Sequence, residues 1–385
     1  MYKVLRDTIK LCLKLLFSLL PSGNIILFES HPDFADNTYP VYLMLRKYLP
    51  SYKMVWFLHG DDKKDSDDFI HIPTLGLLEK LKYIYYMARC KVLIQCNGSA
   101  AKIKGSQLSI YLDHGSPGKD IRGMYDLQRD NIDFHNVHSE FFDNFTLQTN
   151  NGRQEQLVHL GFPRCDYFFH TPRTKDIADI VSGKYIIWLP TFRGHKNKLR
   201  NDAPNSPYNH IGIPLFYSVE KLSSFNAFLK DNDIHILYKP HPVQDLGVLK
   251  GEKMSNFRIT YDPDIFSRNL QLYEVIAQSE ALITDYSSVF WDYLILDRPI
   301  AITVDDIALW KEGRGFLYDI ESIHKETAEI LPDEKSMREF ILNVINGSDI
   351  KREGRRKWRD KAIIHQDGKS TERVVNFILE KMSRS

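Results

Sequence analysis

Short runs of β-branched and aromatic residues alternate with helical patterns along most of this sequence. In the first half, helical patterns such as Tyr39–Tyr48 and Leu77–Arg89 separate some of these runs. The strand-like runs are Asn24–Glu29, Lys53–Leu58, Lys91–Gln95, Leu108–Leu112, Phe134–His138 and Leu157–Leu160. Repeated βα alternation predicts a parallel sheet with helices on both of its faces.

The alternation restarts after a polar and less patterned interval at Thr171–Lys184. A chain of 385 residues, 43% of them hydrophobic, is long for one domain and suits two of about 170 to 200 residues. We therefore predict an α/β protein with two Rossmann-like domains, 23–172 and 184–348, and C-terminal helices in 349–385 that brace both halves. The later strand-like runs are Tyr185–Leu189, Ile234–Tyr238, Ala281–Ile283 and Pro299–Val304.

The stretch Ala281–Pro299 reads as a buried strand, a polar turn and a helix that is apolar on nearly every side. Ser287 or Ser288 is predicted to cap that helix. The N–H groups of its first turn, with the helix dipole, would then favour a phosphate group. An ordinary serine cap that binds nothing is the alternative.

The first 22 residues are predicted to form an amphipathic helix. In Met1–Leu20, polar residues recur every three or four positions among apolar ones, and Lys14 interrupts the longest apolar run. A membrane span needs about 20 mostly apolar residues. We expect the helix to lie in the membrane interface with its basic residues toward anionic headgroups, although docking on the protein's own core stays open.

Several classes of protein are excluded by what the sequence lacks. No G-x-G-x-x-G follows a strand, and the segment ending in Gly368-Lys369 lacks the glycine that opens a phosphate-binding loop. The 51 basic and 50 acidic residues balance, which argues against a nucleic-acid partner. The four cysteines show no zinc spacing, and His135 and His138 fall in a strand and turn, so we expect neither a metal nor a cofactor.

Polar residues that carry imidazole, cationic or hydroxyl groups follow several of the predicted strands. Open α/β sheets bind their ligands beyond the carboxyl ends of the strands. Imidazole can accept a proton near neutral pH, and cations, hydroxyls and helix-start N–H groups can neutralise phosphoryl oxygens. Together these groups favour a phosphorylated ligand. They are Asp113-His114-Gly115-Ser116-Pro117-Gly118-Lys119, Pro190-Thr191-Phe192-Arg193-Gly194, Lys239-Pro240-His241-Pro242 and Thr284-Asp285-Tyr286-Ser287-Ser288.

These motifs, with G-F-P-R-x-D at Gly161–Asp166 and R-G-F-L-Y-D at Arg314–Asp319, resemble the CDP-glycerol glycerophosphotransferase family of teichoic acid and capsule synthesis. The resemblance runs from about Phe28 to Arg373. It implies a GT-B-like fold with a cleft between the domains, acceptor on the first and CDP-linked donor on the second. It also implies attachment to the cytoplasmic face of the cell membrane. The reaction it implies moves glycerol phosphate or a related polyol phosphate from CDP-glycerol or CDP-ribitol to a hydroxyl of a polyprenyl-diphosphate-linked acceptor, and releases CMP.

Matched residue by residue, the resemblance makes His114 the general base and His241 a contact of the donor diphosphate. Asp113, Ser116 and Lys119 would lie on the acceptor side, where Asp113 and Gly118 depart from the family pattern. Asp113 could orient His114 or only cap a turn. The remaining donor-side candidates are Thr284, Asp285, Ser287, Ser288, Lys239, Arg193 and Arg314.

Two other functions stay open. A nucleotide-sugar transferase would share the two-domain shape, and a membrane-associated protein could bind the polymer without catalysis. The basic cluster from Lys351 to Lys361 could contact lipid headgroups or the polyanionic product, or could simply be solvated. The oligomeric state stays open.

We predict that removal of Met1–Leu20 shifts the protein from the membrane fraction to the soluble fraction, because the interfacial helix supplies the apolar face. Fractionation of cells that express the two forms measures this. An unchanged partition would show that the helix docks on the protein itself.

Overall fold

A computed structural model describes most of the chain. The described residues are 16–59, 69–71, 76–98, 100–122, 131–192, 211–241, 244, 246, 249 and 254–384. They divide into two compact units. Unit 1 comprises Met1–Ser116, Arg122–Asp166 and Asp367–Ser385, and unit 2 comprises Pro117–Ile121 and Tyr167–Gln366.

Unit 1 is built on a seven-stranded parallel sheet in the order β3-β2-β1-β4-β5-β6-β7. Its helices are α1 (Thr38–Tyr48), α2 (Leu77–Arg89), α3 (Asp143–Asn150) and, from the far end of the chain, α13 (Ser370–Arg384). The strands are β1 (Ile25–Glu29), β2 (Lys53–Leu58), β3 (Phe69–His71), β4 (Val92–Gln95), β5 (Leu108–Tyr111), β6 (Phe134–Asn136) and β7 (Leu157–Val158).

Alternation along β1 divides the core of unit 1 between the two faces of the sheet. Ile26 and Phe28 join the layer that α1 and α13 cover, and Ile25 and Leu27 join the layer that α2 covers. Both faces are therefore apolar, which is why the central strands read as continuous hydrophobic runs.

Unit 2 is built on a six-stranded parallel sheet in the order β10-β9-β8-β11-β12-β13. Its strands are β8 (Tyr185–Trp188), β9 (His235–Tyr238), β10 (Phe257–Ile259), β11 (Ala281–Thr284), β12 (Ile300–Thr303) and β13 (Glu329–Leu331). Its helices are α4 (Thr174–Ala178), α5 (Val219–Asp231), α6 (Asp262–Phe266), α7 (Leu272–Ile276), α8 (Val289–Tyr293), α9 (Ile307–Gly313), α10 (Ile320–Thr327), α11 (Glu334–Ile345) and α12 (Arg352–Ala362).

The chain passes between the units more often than the sequence suggested. Pro117–Ile121, inside the range predicted for the first domain, belongs to unit 2. The interval predicted as a linker holds α4, and Ile177, Ile180 and Val181 are buried in unit 2. Their apolar side chains are what fold this interval into the unit.

The tail is shared by the two units. α12 packs in unit 2, where Arg352 and Arg356 pair with Asp297 and Lys357 pairs with Glu326. Several charges of the basic cluster are therefore matched within the unit. α13 packs beside α1 in unit 1, with Val374 and Ile378 in its core.

The predicted N-terminal helix falls mostly outside the described residues. Residues 16–18 are helical, and Leu16 and Leu19 are exposed at 63% and 80%. Within the described part of the chain, no helix is both long enough and apolar enough to cross a membrane.

The start of α13 depends on one carboxylate in unit 1. Asp166 accepts the N–H groups of Ser370 at 2.9 Å and Thr371 at 2.7 Å, and its side chain is buried. These two N–H groups belong to the helix start, where they lack intrahelical partners.

We predict that Asp166→Ala lowers the free energy of unfolding of unit 1 by about 1–3 kcal/mol, because it leaves two buried donors unpaired. Urea unfolding measures the loss. The control is Glu372→Gln, a change at an exposed carboxylate in the same first turn. A loss as small as that of the control would contradict a capping role for Asp166.

Candidate functional site

The carboxyl ends of adjacent strands form one edge of the sheet in each unit. In unit 1 this edge carries Glu29 at the end of β1, His59 after β2, the turn Cys96–Gly98 after β4 and His114 after β5. Parallel strands bring these positions together although up to 85 residues separate them along the chain. The sequence predicted only the last of them.

His114 has an orientation that suits a general base. Its side chain is 55% exposed, and its Nδ1 lies 3.3 Å from the carbonyl oxygen of Cys96. A carbonyl oxygen can only accept, so Nδ1 carries the proton in this contact. Nε2 of the neutral ring then keeps its lone pair and can accept a proton.

Asp113 caps the turn before His114. Its backbone is left-handed at φ 59°, and its Oδ1 accepts the N–H of His114 at 2.6 Å and of Gly115 at 3.3 Å. The distance from Oδ1 to Nδ1 of His114 is 3.6 Å, too long for a hydrogen bond. Of the two roles considered for Asp113, the geometry therefore shows the turn.

The second oxygen of Asp113 has a different partner. Oδ2 accepts from Nε2 of His135 at 2.9 Å, and Nδ1 of that ring lies 3.4 Å from the Asn150 amide. Burial acts to raise the pKa of Asp113, but the hydrogen bond and charge of His135 outweigh it and the pKa is lowered. This contact occupies His135, one of the two histidines that the sequence analysis considered as metal ligands.

Two further residues hold the same turn, and the sequence analysis missed their role. The Asn37 amide donates to the carbonyls of Leu112 at 3.2 Å and Asp113 at 2.8 Å. Arg164 donates to the carbonyl of His114 at 2.7 Å and pairs with Asp36 at 2.7 Å. Arg164 is the arginine of the G-F-P-R motif, so the motif itself was the available signal.

Ser116 follows this turn as the last residue of the first segment of unit 1, and it is buried. Among the described residues its hydroxyl has no hydrogen-bond partner. His138, the other of these two histidines, is also buried and packs on Phe162 with ring centroids 3.9 Å apart. His138 thus packs on a different residue from those that bind the ring of His135.

In unit 2 the strand-end groups follow neighbouring strands. β9, β8 and β11 lie side by side, so Lys239, Thr191 and Asp285 share one edge. Asp285 is fully buried and accepts the N–H of Thr191 with both oxygens, at 2.9 and 2.8 Å. Its Oδ1 also accepts the Thr191 hydroxyl at 2.6 Å. Asp285 therefore fixes the loop after β8.

Thr284 is also fully buried, and its hydroxyl donates to the carbonyl of Leu189 at 2.6 Å. Thr284 and Asp285, which were both predicted to bind the donor, therefore make hydrogen bonds within the protein. Ser287 and Ser288 differ from them.

Ser287 and Ser288 are half-buried, and neither hydroxyl makes a hydrogen bond within the described part of the chain. Ser288 occupies the capping position of α8, but its side chain does not cap, unlike the prediction. The backbone at Ser288 is already right-handed helical at φ −64°, whereas a capping residue is usually extended. The two hydroxyls remain available to a ligand.

The K-P-H-P segment contains two predicted donor-side residues, Lys239 and His241, and they have different surroundings. Lys239 is buried and pairs with Asp262 at 2.9 Å, so its charge is matched. The His241 ring packs against Phe192 with centroids 4.8 Å apart. Arg193 lies outside the described residues.

Lys119, predicted on the acceptor side, lies in unit 2. Its segment forms a β-bridge with Phe316, and its ammonium is 3.5 Å from the Thr191 hydroxyl and 5.5 Å from the Trp310 ring centre. Arg314 donates to the carbonyl of Asp120 in the same segment at 3.3 Å. Lys119 and Arg314 therefore belong to one assembly around the loop after β8.

His324 on α10 is a buried histidine near this assembly. Its ring packs on Phe290 with centroids 4.7 Å apart, and its Nε2 has no partner among the described residues. Burial lowers the pKa of His324 to about 3, and the charge of Asp285 opposes this only in part. The ring is therefore neutral in the folded protein.

We predict that His324 makes the protein sensitive to acid. Unfolded histidine binds a proton below about pH 6.5 and the folded ring does not, so stability falls as the pH drops from there toward 3. His324→Leu should lessen the loss of unfolding free energy between about pH 7 and about pH 5 by about 2 kcal/mol. The control is His170→Gln at an exposed histidine, and equal acid sensitivity in the two variants would refute the prediction.

Three comparisons place the chain among known proteins. It is 28% identical over 241 residues to the teichoic acid ribitol-phosphate primase of Bacillus spizizenii, covering 58% of this chain and 53% of that protein. It is 26% identical over 356 residues to the teichoic acid glycerol-phosphate primase of Bacillus subtilis, covering 85% of each. The chain thus spans about half the length of the first relative and most of the second.

A solved structure of the wall teichoic acid polymerase TagF has a similar fold. The TM-score is 0.74 at 18% identity, and the match covers 100% of this chain and 97% of the other. The predicted fold class, two parallel-sheet α/β domains of the GT-B-like kind, is confirmed. The family described as CDP-glycerol:poly(glycerophosphate) glycerophosphotransferase matches residues 12–380. The chain therefore belongs to the CDP-glycerol:poly(glycerophosphate) glycerophosphotransferase family.

Proposed function

We propose that this protein transfers glycerol phosphate, or a related polyol phosphate such as ribitol phosphate, from a CDP-activated donor to a hydroxyl of a lipid-linked acceptor. CMP is the second product, and the reaction serves teichoic acid or capsular polymer synthesis. The observation that carries the proposal is the geometry of His114, whose Nδ1 proton is held by Cys96 while the exposed ring offers Nε2. Family membership supplies the substrate class.

His114 acts as the general base on the acceptor. Its Nε2 takes the proton of the acceptor hydroxyl while the acceptor oxygen forms a bond to the phosphorus of the polyol phosphate. The P–O bond of the donor diphosphate breaks, and its electron pair leaves with CMP. Phosphoryl transfer depends mainly on position and charge stabilisation, so the base needs above all a fixed orientation.

Ser287 and Ser288 bind the donor diphosphate through their hydroxyls. The support is that both are half-buried and make no hydrogen bond among the described residues, whereas the neighbouring Thr284 and Asp285 are buried and engaged. His241 contributes a further contact to the diphosphate. Asp285 acts on the donor only through the loop of Thr191.

Lys119 adds positive charge to the donor side. Its ammonium lies beside Thr191, which follows β8, and Asp285 holds that residue from the end of β11. A cation placed there can neutralise charge on the departing phosphate. The pairing of Lys239 with Asp262 leaves that lysine less suited to the role, and Arg314 supports the Lys119 segment.

The acceptor is a polyprenyl-diphosphate-linked saccharide or polymer, and the protein works at the cytoplasmic face of the membrane as a peripheral protein. The N-terminal helix supports this, because Leu16 and Leu19 expose large apolar side chains next to a basic sequence. Polar and cationic side chains alone account for the proposed chemistry, without a resident metal or cofactor.

The test supplies a membrane-extracted, lipid-linked acceptor with CDP-glycerol, CDP-ribitol or a UDP-sugar, and follows release of CMP or UDP. We expect CMP release, and a loss of at least about 100-fold in His114→Ala, since a general base contributes that much or more. The matched control is His170→Ala at an exposed histidine of unit 2, which should retain activity.

Three results would contradict the proposal in different ways. Release of UDP alone would identify a nucleotide-sugar transferase. Polymer binding without release of either nucleotide would identify a non-catalytic binding protein. Undiminished CMP release in His114→Ala would leave the reaction standing and remove His114 as its base.

A further inference from the structure

Glu29, at the end of β1 in unit 1, is a buried carboxylate that binds a turn of the backbone. Its Oε2 accepts the N–H groups of three successive residues, Cys96 at 3.4 Å, Asn97 at 3.2 Å and Gly98 at 2.6 Å. Successive N–H groups that converge on one oxygen form an anion-binding concavity in the backbone. Here the anion is a side chain of the same protein.

The turn is shaped closely around this carboxylate. A Cβ atom on Gly98 would lie 2.7 Å from the carboxyl carbon of Glu29 and 2.8 Å from its Oε2, closer than real Cβ contacts come. Any other residue at 98 would have to move either the turn or the carboxylate. The glycine is therefore required by close approach.

The other oxygen of Glu29 accepts a hydrogen bond from a histidine ring. Oε1 accepts from Nε2 of His59 at 2.9 Å, and the N–H of His59 donates to Asp33 at 2.9 and 3.1 Å. Burial acts to raise the pKa of Glu29, but the bonds from His59, Gly98 and Asn97 outweigh it, so the pKa is lowered. An ionised carboxylate is the stronger acceptor for the three N–H groups.

The same turn carries the carbonyl that orients His114. Cys96 donates its N–H to Glu29 and accepts Nδ1 of His114 at its carbonyl oxygen, 3.3 Å away. The other charges at His114 act differently. Asp113 is 3.6 Å from Nδ1, beyond hydrogen-bond distance, and Arg164 binds the backbone carbonyl of His114.

We propose that Glu29 is a positioning residue for His114, acting through the Cys96–Gly98 turn. It fixes the turn, the turn fixes the Cys96 carbonyl, and the carbonyl fixes the proton on Nδ1 so that Nε2 faces the acceptor hydroxyl. The proposal rests on the proposed function for its kinetic effect. Its structural content, which ring nitrogen of His114 carries the proton, can be measured without activity.

The test compares Glu29→Ala, Glu29→Gln and Gly98→Ala in the full chain. Glu29→Ala removes the acceptor, and Gly98→Ala pushes a methyl group into it while Glu29 stays. Glu29→Gln keeps an amide oxygen that can accept the same N–H groups. The matched control is Glu140→Gln, the same change of side chain at an exposed carboxylate of unit 1.

We expect kcat for CMP release to fall about 10- to 100-fold in Glu29→Ala and Gly98→Ala, with KM for the CDP-linked donor unchanged, because misplacement of a reacting group costs about that much. Glu29→Gln should restore most of kcat, and Glu140→Gln should match the unaltered protein. A Gln variant as impaired as the Ala variant, or a Gly98→Ala variant with full kcat, would overturn the proposal.

The second readout is the tautomer of His114, followed by NMR of protein labelled with ¹⁵N-histidine, with the resonance assigned by its loss in His114→Asn. The unaltered protein should show the proton on Nδ1, and the Ala variants a mixture of both tautomers. If Glu29→Ala does not fold, Gly98→Ala and Glu29→Gln carry the test. An unchanged tautomer in Gly98→Ala would refute the positioning role, whereas full activity in His114→Ala would refute only the base.

Discussion

In each unit a buried carboxylate accepts at least one backbone N–H from the loop after a neighbouring strand, and the shape of the strand-end edge depends on this interaction. Glu29 holds the Cys96–Gly98 turn in unit 1, and Asp285 holds Thr191 in unit 2. Charge-assisted hydrogen bonds are stronger than neutral ones, and a buried site strengthens them further, so they hold these loops in place. A parallel sheet brings the strands to one edge, and the carboxylates decide what the loops present there.

This arrangement separates groups that hold the protein from groups that can meet a ligand. Thr284, Asp285 and Lys239 are buried and paired within unit 2, whereas Ser287 and Ser288 keep their hydroxyls available. In unit 1, Asp113 and Arg164 hold the turn, and His114 is exposed beyond it. For phosphoryl transfer such a division is useful, because catalysis rests on groups whose position is set before the substrate binds.

The sequence predicted the central strands well and missed some of the edges. β3, β10 and β13 were not predicted, and each has three residues and lies at the edge of its sheet. An edge strand is partly exposed, so it lacks the continuous apolar run of a strand buried on both faces. Arg258 in the middle of β10 is exposed, for example, so this strand shows no continuous apolar run in the sequence. The helix Ser370–Arg384, inside the C-terminal range predicted to be helical, was easier, because its apolar face repeats at helical spacing.

The sequence alone determined the parallel α/β class, the position of polar motifs after strands and the family resemblance, because apolar periodicity and short motifs are local properties. The tertiary structure decided which partner each of those groups has. Asp113 binds His135 rather than the ring of His114, Lys119 joins unit 2, and Glu29 reaches Gly98 across 69 residues of chain. Such contacts depend on which loops the sheet order brings together, and hydrogen bonds between residues so far apart leave no periodic trace in the sequence.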